Sequence, residues 1–143
     1  MLALCLSTVT LAVDLTDYQW RNRLLFVVAP DASGQEVASV LAELVRSAKE
    51  LEDRDLLVIQ LYLHGQSLIG DRALAPGAAW RLRGEIEVQP NTRLLILAGK
   101  DGGIKRRAPL ATDLKDIFSQ TDAMPMRRYE MHNRQPSAGA GEL

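Results

Sequence analysis

Three features of the sequence predict an α/β fold with a partly parallel sheet. An unbroken apolar run, LLFVVAP (24–30), and a largely apolar one, RDLLVIQLYL (54–63), read as buried strands. One long amphipathic segment between them reads as a crossover helix, which makes the two strands parallel and the crossover right-handed. A third apolar run, TRLLILAG (92–99), precedes KDGG (100–103) and the polar IKRRA (104–108), the pattern of an antiparallel hairpin.

Along the chain, MLALCLSTVTLAVD is apolar as far as Val13. That run is too short to span a bilayer. It has the hydrophobic part of a secretory signal, with small residues Thr10 and Ala12, but lacks a basic start. Residues 1–13 are therefore read either as part of an export segment whose true start lies upstream or as a buried N-terminal strand. Residues 14–131 are the expected domain. HNRQPSAGAGEL (132–143) reads as a polar, disordered tail.

The crossover helix is expected from Gly34 to Leu51, with Val37, Val40, Leu41, Leu44, Val45, Ala48 and Leu51 on one stripe. Ser33 and Glu36 fit a capping box, in which hydroxyl and carboxylate each accept an orphan amide. Glu50, Glu52 and Asp53 oppose the helix dipole, so the helix ends near Leu51. Residues 65–91 are mixed, with GAAWRLRGE (77–85) a short helix. The last helix runs from Leu110 or Thr112 to Ala123, and Pro125 stops it.

The order β-α-β-(short α)-β-β-α is the plan of a thioredoxin-like fold. It implies a mixed four-stranded sheet of order 4-3-1-2, with strands numbered along the chain, between helical layers. The KDGG hairpin argues against a flavodoxin-like fragment, and the single long crossover helix against a ferredoxin-like variant.

The 143 residues suffice for one domain, and 47% hydrophobic content suffices for a core. Net charge is −1, from 17 basic and 18 acidic residues, and aromatics are only 5%. Such a chain offers neither a steering field nor a stacking platform for nucleic acid. One cysteine, Cys5, and two histidines, His64 and His132, leave no basis for an internal disulfide, a CxxC pair or a histidine metal cluster. No cofactor or metal is expected.

WRNRLLFVVAP (20–30), LLILAGKDGGIKRR (94–107) and DAMPMRRYEM (122–131) together resemble the P-DUDES family. This domain of unknown function is found in bacterial proteins, many of them exported, and in vertebrate extracellular-matrix proteins with sushi repeats. The similarity covers residues 15–131 and is most specific where GKDGG is followed by DAMPMRR. It implies a peroxiredoxin- or thioredoxin-like fold and brings no established activity or catalytic residues.

In thioredoxin-like enzymes the reactive cysteine lies between the first strand and its helix, where helix-end amides stabilise a thiolate. Here that loop is APDASGQE (29–36), which has no sulfur. Thiol oxidoreductase and peroxidase chemistry is disfavoured, and no catalytic residue is assigned. Ser33 reads as a cap, since no histidine lies near it in sequence. GKDGGIK is not a phosphate loop, because Leu94 stands where that motif needs its first glycine.

The candidate binding residues are Arg54, Asp55, Lys100, Asp101, Arg127, Arg128 and Glu130. They read either as an acidic–basic recognition patch or as cross-braces, since a guanidinium fork suits a carboxylate. Within DAMPMRRYEM, Met124, Met126 and Met131 plug the sheet end. Adjacent Arg127 and Arg128 cannot share a direction. One is expected to pair inward with Asp55 or Asp122, and the other to face a partner. The predicted function is a non-catalytic thioredoxin-like domain that binds a protein or an envelope or matrix component. It makes no stable membrane insertion, and is periplasmic or secreted if the leader is a signal peptide and cytoplasmic otherwise. The alternatives are an enzyme of unrecognised type with an Asp/Arg site and a structural stabiliser of a complex.

The purified chain is expected neither to reduce insulin nor to consume peroxide. Robust turnover that disappears in Cys5→Ser would overturn this reading.

Overall fold

A computed structural model describes residues 14–134. The expected leader 1–13, Cys5 within it, and the tail from residue 135 onward lie outside the described residues. At the centre is β1 (Arg23–Ala29), in which every residue is buried. It pairs in parallel with β2 (Leu56–Tyr62), from Arg23↔Leu56 to Ala29↔Tyr62. On its other side it pairs antiparallel with β5 (Leu94–Ala98). β5 in turn pairs antiparallel with β6 (Ile104–Pro109) across the KDGG turn, as expected. A short hairpin, β3 (Leu68–Ile69) and β4 (Arg72–Ala73), extends the sheet beyond β2. The full order is β4-β3-β2-β1-β5-β6. The expected four strands keep their expected order, and the extra hairpin was hidden in the mixed segment 65–91.

Alternation along β1 divides the core, because successive strand residues face opposite ways. Leu25, Val27 and Ala29 meet one helical layer: α1 (Gln35–Arg46), α2 (Ala48–Asp53) and α4 (Leu114–Asp122). They pack there with Val37, Leu44, Leu51, Leu114 and Ile117. Leu24, Phe26 and Val28 meet α3 (Pro76–Glu85) through Ala79 and Leu82, with Ile86 just beyond that helix. A run apolar at every position is therefore what a strand covered on both faces requires.

The KDGG turn closes through Gly102, whose φ is 84. A side chain at that angle would be strained, which is the reason for glycine there. The Gly102 amide donates to the Gly99 carbonyl at 3.0 Å, and the Gly99 amide to the Gly103 carbonyl at 2.9 Å.

Several local expectations are corrected. The crossover is two helices, broken at Ser47, whose φ of −99° and ψ of 21° depart from helical values, and its second part runs on to Asp53. Val45 lies at the margin of the apolar stripe and is 78% exposed. The capping box does not form: Gly34 is the cap residue. Asp31 captures Ser33 instead, accepting from its amide at 2.9 Å and from its hydroxyl. This local side-chain turn competes with capping for the same donor.

The last helix starts later than expected, at Leu114, because the Asp113 side chain caps it by accepting from the Lys115 amide at 3.0 Å. Pro125 does not end helical structure. It opens a further helix, α5 (Pro125–Arg134), at the position where a missing amide donor costs nothing. His132, Asn133 and Arg134 thus continue α5 instead of beginning a disordered tail. Among the described residues no helix is long and apolar enough to cross a membrane.

Leu97 is fully buried between the layers. Leu97→Ala is expected to cost about 2–5 kcal/mol in denaturant unfolding. Val45→Ala should stay within about 0.5 kcal/mol.

Candidate functional site

β1 and β2 run the same way, so the sheet has two distinct ends. The carboxyl ends of these strands face the sulfur-free loop before α1. The amino ends gather Arg23, Arg54 and Asp55, and antiparallel β5 delivers Lys100 to the same place. α5 lies across this second end and brings Arg127 and Glu130 to it.

Two ion-pair clusters hold α5 there. In the first, Glu130 accepts from both terminal nitrogens of Arg23, at 3.1 and 3.3 Å. It also accepts from Lys100 Nζ at 2.5 Å, and Lys100 donates to Asp55 Oδ2 at 2.8 Å. In the second, Asp122 takes Arg54 through two bonds of 3.0 and 2.9 Å, and Arg127 Nε at 3.0 Å. Arg127 also reaches Asp53, at 2.8 Å to its carbonyl and 2.5 Å to its carboxylate. Arg54 lies over the Phe118 ring, 4.7 Å from its centre. The clusters are joined by Arg23 Nη1, which donates to the Arg54 carbonyl at 2.9 Å.

The carboxylates are tuned by these partners. Burial pushes Glu130 and Asp122 upward, but both end below their ordinary values. Lys100 and Arg23 stabilise ionised Glu130, and Arg54 and Arg127 stabilise ionised Asp122. Asp53 is lowered chiefly by its bond from Arg127. Groups held ionised in this way are poor proton donors or acceptors near neutral pH.

The structure thus gathers Arg54, Asp55, Lys100, Arg127 and Glu130, five of the seven sequence candidates, into one framework. Asp101 stands apart in the KDGG turn, paired with Lys105 at 2.7 Å. Arg128 is exposed on α5 and enters none of these pairs. Arg127 is the inward arginine and Asp122 its acid. Sequence reasoning missed Arg23, although a cation opening an unbroken apolar strand is itself a signal that a counter-charge must come to it.

It also missed Trp20. Beside the Glu130 cluster lies a cleft of about 420 Å³, walled by Trp20, Met124, Pro125 and Met126 and bordered by Arg23, Lys100, Asp101 and Lys105. Trp20 is 60% exposed. Its φ is 69, and its amide donates to the Lys100 carbonyl at 2.6 Å. Met124 packs partly into the core, whereas Met126 is exposed at the rim. Met131 is not among the residues that line the cleft.

A family model described as Domain of unknown function (DUF4174) matches residues 14–130. The chain belongs to this family. The DUF4174 domain is also similar to coiled-coil domain-containing protein 80 of Danio rerio, with 26% identity over 133 residues, 82% of this chain and 15% of that protein. The chain therefore spans only a small part of that relative.

Among solved structures, the reduced 2-Cys peroxiredoxin of Plasmodium vivax superimposes with a TM-score of 0.64 at 12% identity, over 83% of this chain and 85% of that one. The mitochondrial 2-Cys peroxiredoxin of Plasmodium falciparum does so with a TM-score of 0.54 at 11% identity, over 78% and 80%. At such identities the likeness is one of fold, and the DUF4174 domain is thioredoxin-like.

Arg127→Ala would strip Asp122 and Asp53 of a buried donor and is expected to cost about 1–3 kcal/mol in denaturant unfolding. Arg128→Ala should change stability by no more than about 0.5 kcal/mol. Equal small effects would show that the motif is merely a solvated surface.

Proposed function

We propose that this domain is a non-catalytic thioredoxin-like binding module of the P-DUDES type, which engages a protein or an envelope or matrix component through the Trp20 cleft. The observation that carries this reading is Trp20 itself. A large aromatic ring stands mostly in solvent on a left-handed backbone that only glycine adopts without strain. Strain of this kind persists where the surroundings impose it, and it clusters at ligand sites. Here the Lys100 carbonyl imposes it, and Lys100 is fixed by Asp55 and Glu130.

The walls and rim suit a partner. Tryptophan is enriched among residues that dominate binding energy. Methionine adapts its shape to what it meets. Asp101, Lys105 and the outward Arg128 lie on or near α5 and the KDGG turn, where a polar rim would supply specificity more than affinity. A cleft of about 420 Å³ is of ligand-binding size.

The enzyme alternative has less support. Asp122 and Glu130 are spent on structural cations, and the cluster faces the sheet end opposite to the carboxyl ends of the parallel strands, where α/β folds usually place ligands and chemistry. Export remains a proposal that rests on the apolar leader alone.

Affinity recovery from the native compartment, followed by titration of the recovered partner, tests the module. Trp20→Ala is expected to weaken that partner by about tenfold or more while leaving the circular dichroism spectrum unchanged. Undiminished binding by a folded Trp20→Ala chain would refute the assignment.

A further inference from the structure

A second pocket lies at the other end of the sheet and uses none of the Trp20 cleft. It is a cup of about 170 Å³ lined by Leu63, Trp80, Arg83, Gly84, Val88 and Pro90. Leu63 directly follows β2, so the cup lies beyond the carboxyl end of a parallel strand, the usual ligand position in an open α/β sheet.

Its distinguishing group is Arg83, only 5% exposed. Arg83 Nη2 donates to the Gln89 carbonyl at 3.0 Å, and Nη1 is buried without a partner. Arg23, Arg54 and Arg127 are also largely buried, yet each holds a carboxylate. Arg83 is in no ion pair among the described residues. A buried cation without a counter-charge is an expensive arrangement that native proteins normally avoid. Consistent with this, burial alone lowers the Arg83 pKa, with no acid acting against it.

The surroundings are built to hold that guanidinium. The Val88 amide donates back to the Arg83 carbonyl at 3.2 Å, and the Gln89 amide to Thr92 Oγ1 at 2.9 Å. Glu87, just before Val88, adopts a left-handed φ of 56. Trp80 stands three residues before Arg83 on α3, on the same helical side, and is 70% exposed. Gly84 leaves open space beside them, since a Cβ there would meet no atom within 4 Å.

We propose that this cup binds a carboxylate carried on a small apolar group, with Arg83 as its counter-ion and Trp80 as its wall. A guanidinium fork matches the two oxygens of a planar carboxylate. The apolar lining favours a weakly hydrated body over a compact, strongly hydrated anion such as phosphate. The same chemistry is presented by a free branched or aromatic acid and by the C-terminus of a polypeptide ending in an apolar residue.

The test is a titration of the full chain, followed by NMR of the indole and arginine side-chain signals. The probes are isovalerate, N-acetyl-L-leucine, a tripeptide ending in leucine, the C-terminal amide of that peptide, and inorganic phosphate. Saturable binding of the acids is expected, weakened by about tenfold or more in the amide, with phosphate inert. Binding of small acids without the peptide assigns a free acid, and preference for the peptide assigns a chain terminus. Either outcome supports the site.

Arg83→Met keeps the apolar stem and is expected to abolish binding. Gly84→Leu fills the cup while leaving Arg83 in place, and is expected to abolish it too, which decides the matter should Arg83→Met fail to fold. No saturable binding by any acid, equal binding of acid and amide, or undiminished binding by folded Gly84→Leu would overturn the proposal. None of these outcomes bears on the Trp20 cleft.

Discussion

Arg23 opens the central strand and is 1% exposed. Taking a guanidinium out of water without a counter-charge is costly, and none is available within the sheet. Glu130 supplies it from the last helix, using both oxygens, and shares one of them with Lys100. This requirement places α5 across the sheet end. It fixes Lys100, and the Lys100 carbonyl holds Trp20 in its unusual backbone angle. The second cluster, Asp122 with Arg54 and Arg127, repeats the same solution from the end of α4. Glu130 and Asp122 each serve two cations, so each pair is anchored on more than one element and is less easily frayed than an isolated surface pair.

The two ends of the sheet therefore carry different physics. At the amino ends of β1 and β2 the buried charges are matched, and Trp20 and Met126 stand exposed beside them. At the carboxyl ends the balance reverses. The loop 29–36 has no sulfur, and Arg83 is a charge left unmatched beneath an exposed tryptophan. The thioredoxin-like scaffold carries a cleft at each end of its sheet.

Much of the fold was legible because its signals are local. Apolar runs identified β1, β2 and β5, and KDGG identified the turn to β6. The hairpin β3–β4 carried a signal too: Gly70, with φ 57, begins a tight Gly-Asp turn. Its strands are only two residues each, too short for any period to register. The capping box and the stop at Pro125 were misread because one residue type serves several local structures. Asp31 outcompeted the helix for Ser33, and proline begins helices as readily as it ends them.

What the sequence by itself determined was burial: which runs lie inside, where the chain must turn, and that no thiolate can sit in the loop before α1. It also singled out Arg54, Asp55, Lys100, Asp101, Arg127, Arg128 and Glu130 as candidate charges, five of which entered one framework. Tertiary structure alone decided the pairing, because charge attraction carries no sequence address. Arg127 meets Asp122, five residues away in sequence, and Asp53, 74 residues away, at the same time. The same limit hid Trp20 and Arg83. An exposed tryptophan and an unpaired buried cation are properties of what surrounds a residue, and those surroundings exist only once the sheet has brought distant segments together.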